Sequence, residues 1–165
     1  MLRCIFFVIL LTAISATGQT SKSSCIPTEK SITVHGTSME PRYKNNQDIK
    51  YLENFYQCAQ FDVQRGDIVV FEIPGRKNFL LKKVVAIPND KFEYKNQNIY
   101  INGLILKNSE KIIYKIDSKM LALYAKDYPT IPEKSYLVLG DNTNGTFDAS
   151  RFGLISSEQI NGKVK

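Results

Sequence analysis

Ser31-Ile32-Thr33-Val34-His35-Gly36-Thr37-Ser38-Met39-Glu40-Pro41 is the stretch from which the chain is best read. Its first four residues alternate polar and apolar, as the end of a half-buried β-strand does. Gly36 then permits dihedrals that other residues avoid, and Pro41 fixes the exit of a turn. Ser38 therefore falls where a strand opens into a turn, exposed, beside backbone N–H groups and within reach of another segment. Ser-x-x-Pro alone is an ordinary turn signature, so the reading gains force only from the rest of the chain.

Downstream, residues 48–52, 67–73, 79–87, 92–94, 99–101, 104–106 and 136–139 read as short strands. Pro74-Gly75-Arg76-Lys77-Asn78 supplies turn chemistry for a hairpin into 79–87, and Asn102-Gly103 a tight hairpin turn. Residues 117–126 are the one good helix candidate, capped by Asp117 or Ser118, with Met120, Leu123 and Tyr124 on one face. Many short strands with frequent turns imply a mainly β, antiparallel domain with one short helix.

The 165 residues suffice for one domain with a real core, and 43% hydrophobic against 23% charged residues is ordinary for a folded protein, so disorder is not the default. The net charge of +6 comes from scattered lysines rather than a basic cluster interleaved with aromatics, which argues against nucleic acid as a partner. Such a surface is either simply solvated or a mildly basic face toward anionic membrane lipid. With one histidine, His35, and no Cys-x-x-Cys, the chain lacks the ligands of a zinc site, and no metal is expected. Cys4 lies in an apolar N-terminal run, leaving Cys25 and Cys58 to form a disulfide in an exported domain, or to stay as two thiols.

Arg3 precedes an uncharged run over 4–21 whose strongly apolar part ends near Thr17. One positive charge ahead of an apolar stretch directs the remainder of the chain out of the cytoplasm. The run is shorter than the roughly 20 residues that span a bilayer, and Ile14-Ser15-Ala16 offers a small-residue cleavage site. Residues 1–21 thus read as a signal or anchor segment, either cleaved or retained. Residues 22–30 read as a polar juxtamembrane linker, and 31–165 as the folded domain.

Three further stretches accompany the Ser38 turn. They are Arg65-Gly66-Asp67-Ile68-Val69-Val70-Phe71; Leu80-Leu81-Lys82-Lys83-Val84-Val85-Ala86-Ile87-Pro88-Asn89-Asp90; and Gly140-Asp141-Asn142 followed by Asp148-Ala149-Ser150-Arg151-Phe152-Gly153. With Ile101-Asn102-Gly103 between the last two, their order resembles that of the boxes of type I signal peptidases, the bacterial-type Ser/Lys membrane proteases. The resemblance covers about residues 31–165. It implies antiparallel sheets of the signal-peptidase type and a serine endopeptidase that removes signal peptides from exported preproteins, with small side chains preferred beside the cut. It also implies an extracytoplasmic catalytic domain on a single N-terminal anchor, or a secreted one if that segment is cleaved. No cofactor is required, and the protein is expected to act as a monomer.

Chemistry points to the same residues. A serine hydroxyl needs a base. On a continuing strand His35 falls on the face opposite Ser38, so a lysine is the better candidate. Lowering a lysine from about 10.4 to about 8 takes roughly 3 kcal/mol of differential solvation, which burial supplies. Lys82 lies in an apolar strand and matches the family's base. Taken alone, a lysine there could equally guard a sheet edge against aggregation. Lys83, on the opposite face, matches a basic residue expected to pair with a carboxylate of the last box, for which Asp148 is the candidate.

That box, Asp148-Ala149-Ser150-Arg151, is one residue longer than the family's Asp-Ser-Arg. Either Thr146 or Ser150 would support Lys82, with Asp141, Asn142 and Arg151 completing the surroundings. Gly36, Met39 and Pro41 shape the turn and the substrate pocket, and the Ser38 N–H offers an oxyanion donor. Gly36 leaves no side-chain donor at its position. Asn144-Gly145-Thr146 is also a glycosylation sequon, read as incidental. Two other readings remain: a specialised peptidase of the same clan, such as one maturing conjugative pilin, and a noncatalytic peptide-binding β-domain.

Overall fold

The computed structural model describes residues 25–58, 62–144 and 146–165. The hydrophobic segment expected over 1–21, with Cys4 and Ile14-Ser15-Ala16, lies outside the described residues, as do linker residues 22–24 and Gly145. No helix among the described residues is long and apolar enough to cross a membrane.

Among the described residues, ten strands alternate with two helices. They are β1 (Thr28–Thr33), β2 (Asp48–Glu53), β3 (Ile68–Phe71), β4 (Leu80–Ala86), β5 (Phe92–Lys95), β6 (Asn98–Ile101), β7 (Leu104–Ile105), β8 (Ser135–Leu139), β9 (Ile155–Ser156) and β10 (Ile160–Val164). The helices are α1 (Lys119–Asp127) and α2 (Ala149–Phe152). Seven strands form one sheet in the order β1-β2-β10-β3-β4-β8-β9, and β5-β6-β7 form a second. Every strand pair is antiparallel. β1 begins at Thr28, inside the stretch read as linker.

Each expected strand forms within a residue or two of its expected bounds, where alternation or, in β3, a continuous apolar run buried at every residue is bounded by turn chemistry. At the β6–β7 hairpin, Asn102 and Gly103 take φ of 52° and 79°, the paired left-handed residues that a two-residue turn requires. The helix differs in its buried face. Leu121 is fully buried, with Tyr124 and Ala125 packed against the same cluster, while Leu123 is 51% exposed. The apolar stripe is therefore 121/124/125, an i, i+3, i+4 set, not the 120/123/124 set expected. Ser118 caps the helix through the Leu121 N–H.

β10 has no counterpart among the expected strands. Ile160-Asn161-Gly162-Lys163-Val164 carries one polar, one glycine and one charged residue, yet it lies between β2 and β3. Its glycine has a cause: a Cβ at 162 would meet the Leu52 carbonyl oxygen at 2.3 Å. Three apolar clusters hold the sheets. One joins α1 and the small sheet to Val85, Leu137 and Leu139. A second gathers Val69, Phe71, Val84, Val138 and Ile160. The third, with Val34, Met39, Ile49, Ile68 and Val70, lies beneath the Ser38 turn.

Candidate active site

The Ser38 turn is held by its neighbours. Met39 is 1% exposed and packs into the third cluster, so the residue before it is lifted out of the core and its hydroxyl kept at the surface. Gly36 takes φ +84°, where an L side chain is strained, and its N–H donates to Asn45 Oδ1 at 2.8 Å. The Glu40–Pro41 peptide is cis, closing the turn as Tyr43 N–H donates to the Met39 carbonyl at 2.9 Å.

Opposite the turn, Lys82 in β4 is 3% exposed. Period-two alternation puts it on one face with Leu80 and Val84 and turns Lys83 to the other. Lys82 Nζ donates to Ser38 Oγ at 2.6 Å and to the Leu81 carbonyl at 2.8 Å. Burial depresses its pKa to about 8, against the nearby Asp148 carboxylate, which favours the ammonium, while the Arg76 guanidinium opposes it. A substantial fraction of Lys82 is then neutral near physiological pH, its lone pair available to the serine proton.

The last box builds the wall behind this pair. Gly140 has no room for a side chain: a Cβ there would meet the Ser38 carbonyl oxygen at 2.4 Å and Thr146 Oγ1 at 2.7 Å. Asn142 N–H donates to the Ser38 carbonyl at 3.1 Å and its Nδ2 to the Thr37 carbonyl at 3.2 Å, tying the serine turn to the loop. Asp148 accepts from Gly140 N–H at 2.9 Å, from Thr146 Oγ1, and from Ser150 N–H at 3.0 Å, where it caps α2. The extra residue of Asp148-Ala149-Ser150-Arg151 is thus taken up in a single helical turn. Asp141 is buried but faces away, accepting from the Ser109 N–H and hydroxyl.

Several expectations are corrected. Lys83 does not pair with Asp148, because the carboxylate is occupied by the loop and Lys83 faces the other side of β4. Neither Thr146 nor Ser150 hydrogen-bonds Lys82; Thr146 donates to Asp148, and the second bond of Lys82 goes to the Leu81 carbonyl. Arg151 is exposed and lines a separate polar cavity with Lys115 and Asp117. His35 lines the same cleft as Ser38 rather than the opposite face, because β1 ends at Thr33 and strand alternation no longer applies. It makes no hydrogen bond to Ser38. The expected disulfide between Cys25 and Cys58, by contrast, is present, with Cα atoms 4.8 Å apart.

The dyad opens into a cleft of about 480 Å³ between the end of β1 and the start of β4, lined by residues 31–35, 38, 39 and 77–82. Lys77, Asn78 and Phe79, read from sequence only as a turn and the start of a strand, form part of its wall. Arg76 lies over the Phe147 ring at 4.2 Å, a contact between segments far apart in sequence that no local signal announces. The Ser38 N–H has no acceptor among the described residues.

A mainly β protein holding a serine hydroxyl against a buried, easily deprotonated lysine in an open cleft is built as a serine hydrolase with an amine base. Comparison with known proteins agrees. The sequence matches the family described as signal peptidase, peptidase S26, over residues 3–165. It is 34% identical over 145 residues to signal peptidase IB of Staphylococcus aureus, covering 80% of this chain and 73% of that protein. It is 29% identical over 139 residues to a probable signal peptidase I-2 of Synechocystis, covering 79% of this chain and 59% of that one. The crystal structure of a signal peptidase I from Enterococcus faecalis superposes with a TM-score of 0.50 at 29% identity, over 64% of this chain and 98% of that one. The chain belongs to the signal peptidase family, peptidase S26.

Proposed function

We propose that the protein is a serine endopeptidase that removes signal peptides from exported preproteins, with Ser38 as nucleophile and Lys82 as general base. The observation that carries the assignment is the 2.6 Å contact of Lys82 Nζ with Ser38 Oγ, made by a lysine that is 3% exposed. Neutral Lys82 takes the proton of Ser38 as Oγ attacks the scissile carbonyl. The oxyanion is held by the Ser38 N–H, with no side-chain donor from Gly36. The lysine then protonates the leaving amine. A water deprotonated by the same amine attacks the acyl-enzyme, and Ser38 recovers its proton.

The substrate lies in the cleft as an extended strand. Among the described residues β1 is an outer strand of the seven-stranded sheet, paired with β2, and its last residues together with 79–81 border the cleft. An extended peptide between them hydrogen-bonds main chain to main chain and presents alternate side chains to the walls. Residues 1–21 serve as a signal or anchor segment that brings the protein to membrane lipid, and the folded domain, which begins with β1 at Thr28, acts as a monomer on the extracytoplasmic side. Incubating the purified full chain with a preprotein and following cleavage on a gel tests the assignment. Wild type should release the mature product, and Ser38→Ala should release none; equal cleavage by both would reject Ser38.

A further inference from the structure

The loop after β7 directs its outward hydrogen bonds at the segment behind Ser38. Tyr114 is buried, and its hydroxyl donates to the Gly140 carbonyl at 2.7 Å. Asn108 is buried too, and its Nδ2 donates to the next carbonyl, that of Asp141, at 3.0 Å. The Ser109 N–H donates to Asp141 Oδ1 at 3.0 Å, and the Ser109 hydroxyl donates to Oδ2. None of these bonds closes the loop itself. Asn108 Oδ1 does that, accepting from the Glu110 and Ile112 N–H groups at 3.0 and 2.9 Å, while the Asn108 N–H donates to the Ile112 carbonyl at 2.9 Å. The remaining donors meet two consecutive carbonyls and a carboxylate of residues 140–141.

That segment is the one that touches the nucleophile. The Asn142 N–H donates to the Ser38 carbonyl at 3.1 Å, and the Gly140 backbone lies so near the same oxygen that no Cβ fits between them. Lys82 is fixed separately, by β4 and by its bond to the Leu81 carbonyl. The 2.6 Å contact between Nζ and Oγ therefore depends on where residues 140–142 set the serine turn. We propose that Tyr114 and Asn108 are positioning residues of Ser38, holding the Gly140 and Asp141 carbonyls so that the serine main chain stays in register with Lys82. This rests on the assignment of Ser38 and Lys82 as the catalytic pair. A buried carbonyl deprived of its donor is costly, so the segment shifts to find another, and misplacement by about 1 Å at reacting groups lowers rates steeply. The cleft walls contain no residue of this loop, so the effect falls on kcat rather than on substrate binding.

The test compares kcat and KM for the full chain in detergent at about pH 9.5, above the Lys82 pKa of about 8, so that protonation of the lysine does not enter. The substrate is a fluorogenic peptide with Ala-x-Ala before the cut. Tyr114→Phe keeps the ring in its apolar cluster and removes only the hydroxyl. It should lower kcat by about three- to tenfold, the effect of one hydrogen bond, and leave KM unchanged. Asn108→Asp keeps Oδ1 for the loop and sets a second acceptor against the Asp141 carbonyl, so it should lower kcat at least as far. Tyr94→Phe is the control, because its hydroxyl donates to the Ile116 carbonyl in the same loop and not to residues 140–142. It should lower the melting temperature much as Tyr114→Phe does, with kcat unchanged. Wild-type kcat in both Tyr114→Phe and Asn108→Asp, a rise in KM alone, or an equal loss of kcat in Tyr94→Phe overturns the positioning role. Cleavage at the wild-type rate by Ser38→Ala or Lys82→Arg overturns the dyad assignment instead.

Discussion

Lys82 is buried with a pKa of about 8 against an ordinary 10.5, and that single displacement governs both activity and stability. With Lys82 as the proposed base, catalysis needs the free amine, so the rate should rise as pH passes through about 8 and level above it. The Lys82→Arg variant should be inactive throughout, because a guanidinium stays protonated at any working pH. Lys82→Met should be equally inactive with the fold intact. Undiminished cleavage by the arginine variant would remove Lys82 as the base. Stability carries the opposite face of the same shift. Below pH 8 folded and unfolded chains both hold the proton, and the whole cost of burying the ammonium stands. Between pH 8 and 10.5 the folded state releases its proton first, the unfolded chain binds more, and stability rises with pH by about 3 kcal/mol. Lys82→Met lacks that slope. Denaturant midpoints measured from pH 7 to 10.5 should show the methionine variant favoured at neutral pH, with its advantage shrinking as pH rises.

Elements place these residues, and their legibility varies with how local the cause is. Gly36 and Pro41 are local signals that mark the Ser38 turn, but what singles out Ser38 and Lys82 is the order of the boxes resembling those of signal peptidases, since a Ser-x-x-Pro turn and a lysine in an apolar strand each have commoner readings. The work of Gly140 could not be read. Its reason is contact with the Ser38 carbonyl, about a hundred residues away in sequence, and no spacing encodes that. Gly140→Ala brings a methyl to 2.4 Å from that backbone oxygen, which cannot move without moving the nucleophile. Activity should fall by about tenfold to a hundredfold while the variant still folds, since small misplacements of reacting groups have effects of this size. A variant of wild-type activity would show that the loop yields without disturbing Ser38. The disulfide likewise acts on an element: it fastens the residues ahead of β1, whose end walls the cleft, to the loop after β2. With a sequence separation of 33 it should stabilise the fold by about 3–4 kcal/mol in the chain-entropy model, read as a drop in denaturant midpoint for Cys25→Ser/Cys58→Ser.

At the scale of the molecule, the order β1-β2-β10-β3-β4-β8-β9 is the part that the sequence hides. Neighbouring strands such as β3 and β4 announce their pairing through the turn between them. β10 pairs with β2 and β3, both about a hundred residues earlier, and its Asn161-Gly162-Lys163 looks like loop composition. What makes it a strand is the space waiting for it, where Gly162 lets the Leu52 carbonyl approach and Ile160 and Val164 fill two different clusters. The halves of the sheet that carry the two dyad residues are therefore joined through the last strand of the chain, the Ser38 turn following β1 on one side and Lys82 on β4 the other. Removing residues 160–165 should leave β2 and β3 with open inner edges, giving aggregation and loss of the β-sheet circular dichroism signal together with all cleavage. Gly162→Ala tests the same joint more gently. Its methyl would press on a backbone oxygen at 2.3 Å, so the chain should fold but lose roughly 1–3 kcal/mol, as overpacked sites do. A truncated chain that stays soluble, keeps its sheet signal and cleaves substrate would show that β2 and β3 close on each other without β10, and that the dyad does not depend on this strand.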